Sequence, residues 1–338
     1  MRYFFLIIII LNSIYSFAEK NDTIIKIDTT FIKETKNLLS TQLYLSNSSN
    51  NFNIKSYNIN KTLNYTPNIN GNIGFGFAYK WIGASISIGL KNNEIEKKGK
   101  TDKFDIGFTM FGQKNIIDAK LQLFNGFYIA NPWIYDTNFT DTLNYPKRKD
   151  ITTNSARISW VYSFNNKKFS NKAAFAQSEI QLKSVGSFLL GAFANANIIS
   201  ADSSVLPIQA RNQFSPESNF NTTGNLSFTF GGGYAYSFIV KHFFLTLSLI
   251  QGLGMQWIIM IYDNEQLNEV RKSLATHTQI RLCIGYNSYR NYFGINAFGD
   301  ISPFELTKEN KTEVNFNSNY IKIYYGHRFN FNMFKKKQ

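Results

Sequence analysis

The segment Tyr320-Ile321-Lys322-Ile323-Tyr324-Tyr325-Gly326-His327-Arg328-Phe329-Asn330-Phe331-Asn332-Met333-Phe334 alternates over its whole length. Ile321, Ile323, Tyr325, Phe329, Phe331 and Met333 share one face; Lys322, Tyr324, Gly326, Arg328, Asn330 and Asn332 share the other. Successive side chains of an extended chain point to opposite sides, so this pattern reads as a strand lying between an apolar and a polar medium. A tilted strand crosses a bilayer in about 9–11 residues, whereas strands of soluble proteins average nearer five or six. The segment has the longer reach.

The signature recurs upstream. Ile73, Phe75, Phe77 and Tyr79 alternate with Gly74, Gly76 and Ala78, and Ile82, Ala84, Ile86, Ile88 and Leu90 with Gly83, Ser85, Ser87 and Gly89. Phe104, Ile106, Phe108 and Met110 oppose Asp105, Gly107 and Thr109; Ile158, Trp160, Tyr162 and Phe164 oppose Arg157, Ser159 and Ser163. Leu226, Phe228 and Phe230 oppose Asn225, Ser227 and Thr229, and Ile280, Leu282, Ile284 and Tyr286 oppose Gln279, Arg281, Cys283 and Gly285. Each extends to about ten residues, a membrane-crossing length. The fold expected is all-β, an antiparallel transmembrane β-barrel of about 12–14 strands, even in number if both termini lie on one side.

The connections sort into two lengths, tight turns on one rim and long loops on the other. Tight ones are expected at Lys80-Trp81, Gly112–Asn115, Asn165–Lys168, Val240–His242 and Ser288–Asn291. Long polar ones are expected at Lys91–Thr101, Asn131–Asp150, Ser200–Thr223, Asp263–Ser273 and Ser302–Asn317. The order is regular from Asn70 to Lys168 and then slips. If Lys183–Gly186 is a further tight turn, Ser200–Thr223 lands on the short-turn rim. That means either a misread strand or a loop that folds back as a plug or hairpin. Aromatic pairs near strand ends, such as Tyr79 with Trp81 and Tyr286 with Tyr289, suit girdles at two lipid–water interfaces.

Composition bounds the class. Aromatic residues make up 16% and hydrophobic residues 43% of 338. The chain is too aromatic for disorder, and beyond residue 18 it has no apolar run of about 18 residues to form a membrane helix. Met1-Arg2-Tyr3-Phe4-Phe5, an apolar stretch from Leu6 to Ile14, and Ser16-Phe17-Ala18 describe a secretory signal peptide cleaved after Ala18. Residues 19–338 are then one barrel domain with a short polar lead-in. The single cysteine, Cys283, excludes an internal disulfide. Three histidines and one cysteine give little material for a soft-metal site, and neither a metal nor a cofactor is expected. The formal net charge of +14 points, in an exported chain, to outer-membrane lipid and its anionic headgroups as partners rather than to nucleic acid. The sequence names no protein partner.

Asn64-Tyr65-Thr66-Pro67-Asn68, Tyr79-Lys80-Trp81-Ile82-Gly83, Lys98-Gly99-Lys100-Thr101 with Phe104-Asp105, and Asn125-Gly126-Phe127-Tyr128 form part of a larger pattern. It continues through Phe169-Ser170-Asn171-Lys172-Ala173-Ala174-Phe175 and Lys183-Ser184-Val185-Gly186-Ser187-Phe188-Leu189-Leu190-Gly191 to Gly233-Tyr234-Ala235-Tyr236 and Lys241-His242-Phe243-Phe244-Leu245. Together these resemble a Bacteroidota exported family, domain of unknown function 4421, over roughly Leu43 to Phe298. The resemblance implies an exported β-barrel-like protein of one domain and brings no catalytic residues.

The polar faces carry charges of both signs: Asp105, Asp118, Lys120, Arg157, Glu179, Lys183, Arg281, Lys322 and Arg328. They form a candidate lumen charge network, either a charged constriction or ion pairs filling a narrow barrel. Unpaired charges in a confined site are costly, so Arg157 and Arg281 are each expected beside a carboxylate such as Asp105, Asp118 or Glu179. None of His242, His277 and His327 sits near a Gly-x-Ser-x-Gly pattern, and no catalytic residue is assigned. Gly231-Gly232-Gly233 and Gly74-Phe75-Gly76 are not followed by helices and so lack a phosphate-binding helix N-terminus.

The reading is an outer-membrane barrel acting as pore, transporter or structural component, not an enzyme. The alternatives are a periplasmic lipocalin-like barrel that binds an apolar ligand and an outer-membrane lipid-modifying enzyme. Mature protein is expected to begin at Glu19; N-terminal sequencing of a membrane fraction reads this directly, and intact Met1 there would contradict export by a cleaved peptide.

Overall fold

The computed structural model describes residues 27–330 except 36, 80–81, 91–94, 142, 263–268 and 308–311. The expected signal peptide, the expected turn at Lys80-Trp81 and the stretch from Phe331 to Phe334 lie outside the described residues. Fifteen strands are described. They are β1 (Ile32–Glu34), β2 (Leu38–Ser56), β3 (Lys61–Thr66), β4 (Asn72–Tyr79), β5 (Ile82–Gly89), β6 (Asp102–Phe111), β7 (Asn115–Ile129) and β8 (Lys147–Ser163). Then come β9 (Glu179–Gln181), β10 (Val185–Ser200), β11 (Thr222–Val240), β12 (Phe243–Ile261), β13 (Glu269–Asn287), β14 (Asn291–Thr307) and β15 (Thr312–Asn330).

All but β1 and β9 belong to one antiparallel sheet that closes on itself where β15 pairs with β2 from Thr312↔Ser56 to Asn330↔Leu38. The ring runs β2, β3, β7, β8, β10 and on in order to β15, which is ten strands. β3 and β4 serve as one interrupted strand against β2: Phe52–Ser56 pair with β3 and Ser40–Ser46 with β4. Below β3, the β4–β5 hairpin and β6 widen the ring, with β6 bonded to β7. Among the described residues no ladder joins β5 to β6.

The wall is apolar outside and polar inside. Phe75, Ile86, Phe228 and Ile284 are exposed on the outer face, Leu282 is half-buried there, and Asn195, Gln279, Arg281 and Asp300 are buried within. Along β2 and β15 the alternation holds its parity while its polarity inverts. In the lower half Leu43, Leu45, Ile321 and Ile323 face out, opposite Ser40, Ser48 and Tyr324. In the upper half Phe52, Ile54, Val314 and Phe316 are buried inside, with Asn51, Asn53, Lys55 and Asn315 outside. β11, β12, β13 and β15 each have 19 residues. At about 3.3 Å per residue and a tilt near 40° such a strand rises about 48 Å, more than a hydrocarbon core of about 30 Å. The upper barrel therefore stands clear of the apolar band and is built like a soluble one, with its greasy side inward.

This corrects three loop expectations. β14 reaches Thr307 and β15 starts at Thr312, β13 starts at Glu269, and β8 starts at Lys147, each inside a stretch read as a loop. Leu38–Ser56 and Lys61–Thr66 were likewise not among the expected ladders. Strand whose outer face meets water is polar enough to resemble a loop.

The slip after Lys168 also resolves. Residues 164–184 do not cross as a strand. They turn at Asn165–Lys168, form a π-helical turn at Lys172–Ala176, and add β9 to β1. Phe169, Ala174 and Phe175 pack inside the barrel on Val161, Phe193 and Ile250. Lys183–Gly186 is therefore no hairpin turn, and Ser200–Thr223 sits on the long-loop rim with the other long connections. There Val205, Leu206, Ala210, Phe214 and Phe220 close over the apolar upper core.

Phe228→Lys should cost about 2–4 kcal/mol at mid-bilayer, while Asn53→Lys on the protruding wall should stay within about 0.5 kcal/mol of neutral. Denaturant unfolding of vesicle-reconstituted protein compares the two, and equal effects would contradict the assigned band.

Candidate functional site

Strand parity delivers the charges. Asp105 on β6, Asp118 and Lys120 on β7, Arg157 on β8, Arg281 on β13 and Lys322 on β15 all face inward, and neighbouring ladders hold them at one level: Lys120 is opposite Gly107 on one side and Arg157 on the other. Arg281 Nη2 donates to Asp118 Oδ2 at 2.7 Å, and the Thr109 hydroxyl donates to Asp118 Oδ1 at 2.5 Å. Arg157 meets Asp300 at 3.1 Å. Lys103 and Lys120 share Asp105 at 3.5 and 3.6 Å, and Gln122 Nε2 donates to the same carboxylate at 3.1 Å. The guanidinium groups of Arg157 and Arg281 lie 4.8 and 5.1 Å from the centre of the Phe298 ring, a favourable placing for cations near a π-face.

Asp300 also faces His277 Nε2 at 3.3 Å. The Asn195 amide lies 3.3 Å from His277 Nδ1 and Phe193 stacks on the ring at 4.0 Å. His277 Nε2 and Asp300 Oδ2 are close enough for an ion pair without forming a hydrogen bond. His277 is fully buried, so this pair braces β13 against β14 and β10. Lys322 differs from the other cations. Its ammonium lies 5.3 Å from the Tyr44 ring and 5.6 Å from the Tyr324 ring, and among the described residues no carboxylate is within ion-pair distance of it.

Three expected members lie elsewhere. Glu179 is on β9 in the inward segment, 3.4 Å from Lys172 and accepting from the Ser170 hydroxyl at 2.6 Å. Lys183 is exposed at the short-turn rim, 5.1 Å from the Phe31 ring, and takes no part in the lumen. Arg328 is fully buried at that same end, donating to the carbonyls of Ser288 and Gln177 and to Asn287 Oδ1. It fastens the inward segment to the wall. Arg157 pairs with Asp300 rather than with any of the three carboxylates expected for it; Arg281 does meet Asp118. Asp300, Lys103 and Lys172 join the charged layer without a sequence-based expectation, and so does His277, weighed from the sequence only as a catalytic histidine. Parity carried a signal for two of them: Lys103 shares the face of Asp105, and His277 shares that of Gln279 and Arg281. Lys172, on a segment that is not a strand, carried none. Among the described residues no cluster of histidine, cysteine and carboxylate groups is placed to hold a metal ion.

Arg281→Met should destabilise the barrel by about 3–5 kcal/mol, because it strands the enclosed Asp118 carboxylate. Adding Asp118→Asn should recover more than half of that loss in a double-mutant cycle read by denaturant unfolding. Additive losses would mean that the pair is not coupled.

The chain spans the full length of the E. coli outer membrane protease OmpT at 10% identity, covering 89% of itself and 100% of that chain with a TM-score of 0.39. The P. putida toluene transporter TodX matches at 6% identity over 87% of this chain and 91% of that one, TM-score 0.28. The outer membrane enzyme PagL matches at 12% identity over 51% and 91%, TM-score 0.25. No curated protein matches the sequence significantly. The strand ladders themselves establish the barrel. The family described as Domain of unknown function (DUF4421) matches residues 26–329, nearly the whole described barrel, and the chain belongs to it.

Proposed function

We propose that this protein is a bacterial outer-membrane barrel that is plugged at both ends and holds or passes molecules by a route other than an open axial pore. The observation that carries this reading is the closure of the lumen by two separate segments. Residues 164–184 fill the short-turn end under the clamp of Arg328, and 201–221 cap the long-loop end. Between them lies the charged layer, whose principal charges are paired. A selectivity ring needs charges that face a continuous water column, and paired, capped charges suit filling and binding better.

The apolar outer wall supports the membrane location. A soluble lipocalin-like barrel keeps its outside polar throughout, a condition met here only in the upper half of strands such as β2 and β15. His277 and Asp300 are the buried histidine–carboxylate pair of the barrel. Both are enclosed, and among the described residues no serine, threonine or cysteine hydrogen-bonds to His277. The geometry offers no activated nucleophile there.

Reconstituted in a planar bilayer, the protein should give no steady ohmic conductance, and Arg328→Ala, which frees the inward segment, should introduce flickering openings. Stable conductance in the unaltered protein, with ion preference that shifts in Arg157→Gln, would replace this reading with a selective pore.

A further inference from the structure

The seam between β5 and β6 lies beside the charged layer. Above it the ring is shut by a short ladder, Tyr65↔Ile129 and Thr66↔Tyr128. Asn131 reinforces that joint, accepting from the Asn64 N–H at 2.9 Å and donating to the Thr62 carbonyl at 2.8 Å. Directly below, where β3 breaks into β4, Asn68 Nδ2 donates to the Gly99 carbonyl at 2.6 Å. Thr101 Oγ1 accepts from the Asn68 N–H at 2.8 Å and donates to the Gly126 carbonyl at 2.6 Å. Gly126 has φ +91°, and a Cβ there would come within 2.4 Å of the Lys100 carbonyl oxygen, so only glycine fits. Three of the segments that carry the family resemblance, Asn64–Asn68, Lys98–Thr101 and Asn125–Tyr128, thus meet in one arch. The arch frames the unbonded edge beneath it, where β5 and β6 approach each other without a ladder.

A cavity of about 640 Å³ occupies this place, within the range of about 300–1,000 Å³ typical of small-molecule sites. Its lining includes inward side chains such as Tyr44, Lys103 and Lys322 and also Ile86, Phe104 and Ile106. Those last three are 72%, 53% and 57% exposed on the outer face of the two seam strands. Consecutive residues of both seam strands, Ser85 to Ser87 and Lys103 to Gly107, line it, so the cavity lies against the β5–β6 seam. Its charges do not balance. Lys103, Lys120, Arg157, Lys172, Arg281 and Lys322 line it against Asp105 and Asp118. Asp300 and Glu179, inside the barrel but outside this lining, engage Arg157 and Lys172, which leaves one carboxylate for Lys103 and Lys120 together and none for Lys322.

We propose that the cavity takes an anionic amphiphile through the β5–β6 seam, its phosphate or carboxylate head against Lys322, Lys120 and Lys103 and its tail over Ile86, Phe104 and Ile106 in the bilayer. The two surplus cations supply the counter-charge, and the opening supplies an apolar exit that a purely aqueous ligand would not need. The inference rests on the membrane-embedded, plugged barrel proposed above and adds a ligand and an entry route to it.

Native mass spectrometry of the full chain, released from neutral detergent micelles with palmitate, phosphatidylglycerol or uncharged hexadecanol added, tests it. One anionic molecule should be retained, with hexadecanol held at least about tenfold more weakly. Retention of phosphatidylglycerol alone would identify a phosphate head, and of palmitate alone a carboxylate; either supports the site. Lys120→Gln with Lys322→Gln should lower retention by about tenfold. Gly107→Trp should abolish it while leaving every charge in place. Gly107 lines the cavity, and a Cβ there meets nothing nearer than 3.7 Å, so the bulk enters open space and gives a reading even if the double variant fails to fold. Equal retention of hexadecanol, or retention unchanged in Gly107→Trp, would overturn the proposal. A chain that binds no amphiphile and yet conducts nothing would overturn this inference and leave the plugged barrel standing.

Discussion

Hydrocarbon offers no partner for a backbone N–H or C=O, so a sheet that enters a bilayer has to close. That demand explains the ring from β2 to β15 and the nineteen-residue ladder that seals it. It also gives the β5–β6 seam its meaning. An unbonded edge in an otherwise closed wall is costly in lipid, and here the Tyr44 hydroxyl donates to the Ile86 carbonyl on that edge at 3.4 Å. The arch of Asn68, Thr101 and Gly126 frames the seam from above with hydrogen bonds of its own.

Closing the sheet creates a second problem, an interior that must be filled. Three kinds of material fill it. Aromatic and aliphatic side chains pack the protruding half as in a soluble core. The inward segment, with Phe169 and Phe175, packs the short-turn end. Between the two apolar fillings lies the charged layer, where Arg281–Asp118 and Arg157–Asp300 tie β13 to β7 and β8 to β14 across the barrel. Those cross-links join strands that share no ladder, and so they set the shape of the lumen in a way that strand pairing cannot.

The wall was legible in the sequence wherever one face met lipid, because lipid makes the alternation stark: Ile321 against Lys322, Phe228 against Ser227. Parity put Asp105, Asp118, Lys120, Arg157, Arg281 and Lys322 on one face of their strands, and in the structure Arg281 lies beside Asp118 across the barrel. Legibility failed where the medium changed. Asn51, Asn53 and Asn315 face water outside an apolar lining, so their strands resemble polar loops. It failed again at 164–184, where Phe169, Phe175 and Ile180 imitate a strand but are drawn inside by the empty lumen. No local pattern tells a residue that its lipid-like surroundings are the interior of its own barrel. Lys183 lies outside the lumen for the same reason: its segment adds β9 to β1 and does not cross the wall.

The rest of the structure depends on a wall that is apolar outside and polar inside, and site-specific quenching along β12 tests it most directly. Single cysteines at Thr246, Leu247, Ser248, Leu249 and Ile250, in a Cys283→Ala background, would carry a small fluorophore in vesicles of brominated lipid. Leu247 and Leu249 are 46% and 52% exposed, whereas Thr246, Ser248 and Ile250 are buried inside. A lipid-facing wall predicts strong quenching at Leu247 and Leu249 and little at the other three. Quenching that ignores the alternation, or that favours Thr246 and Ser248, would contradict it.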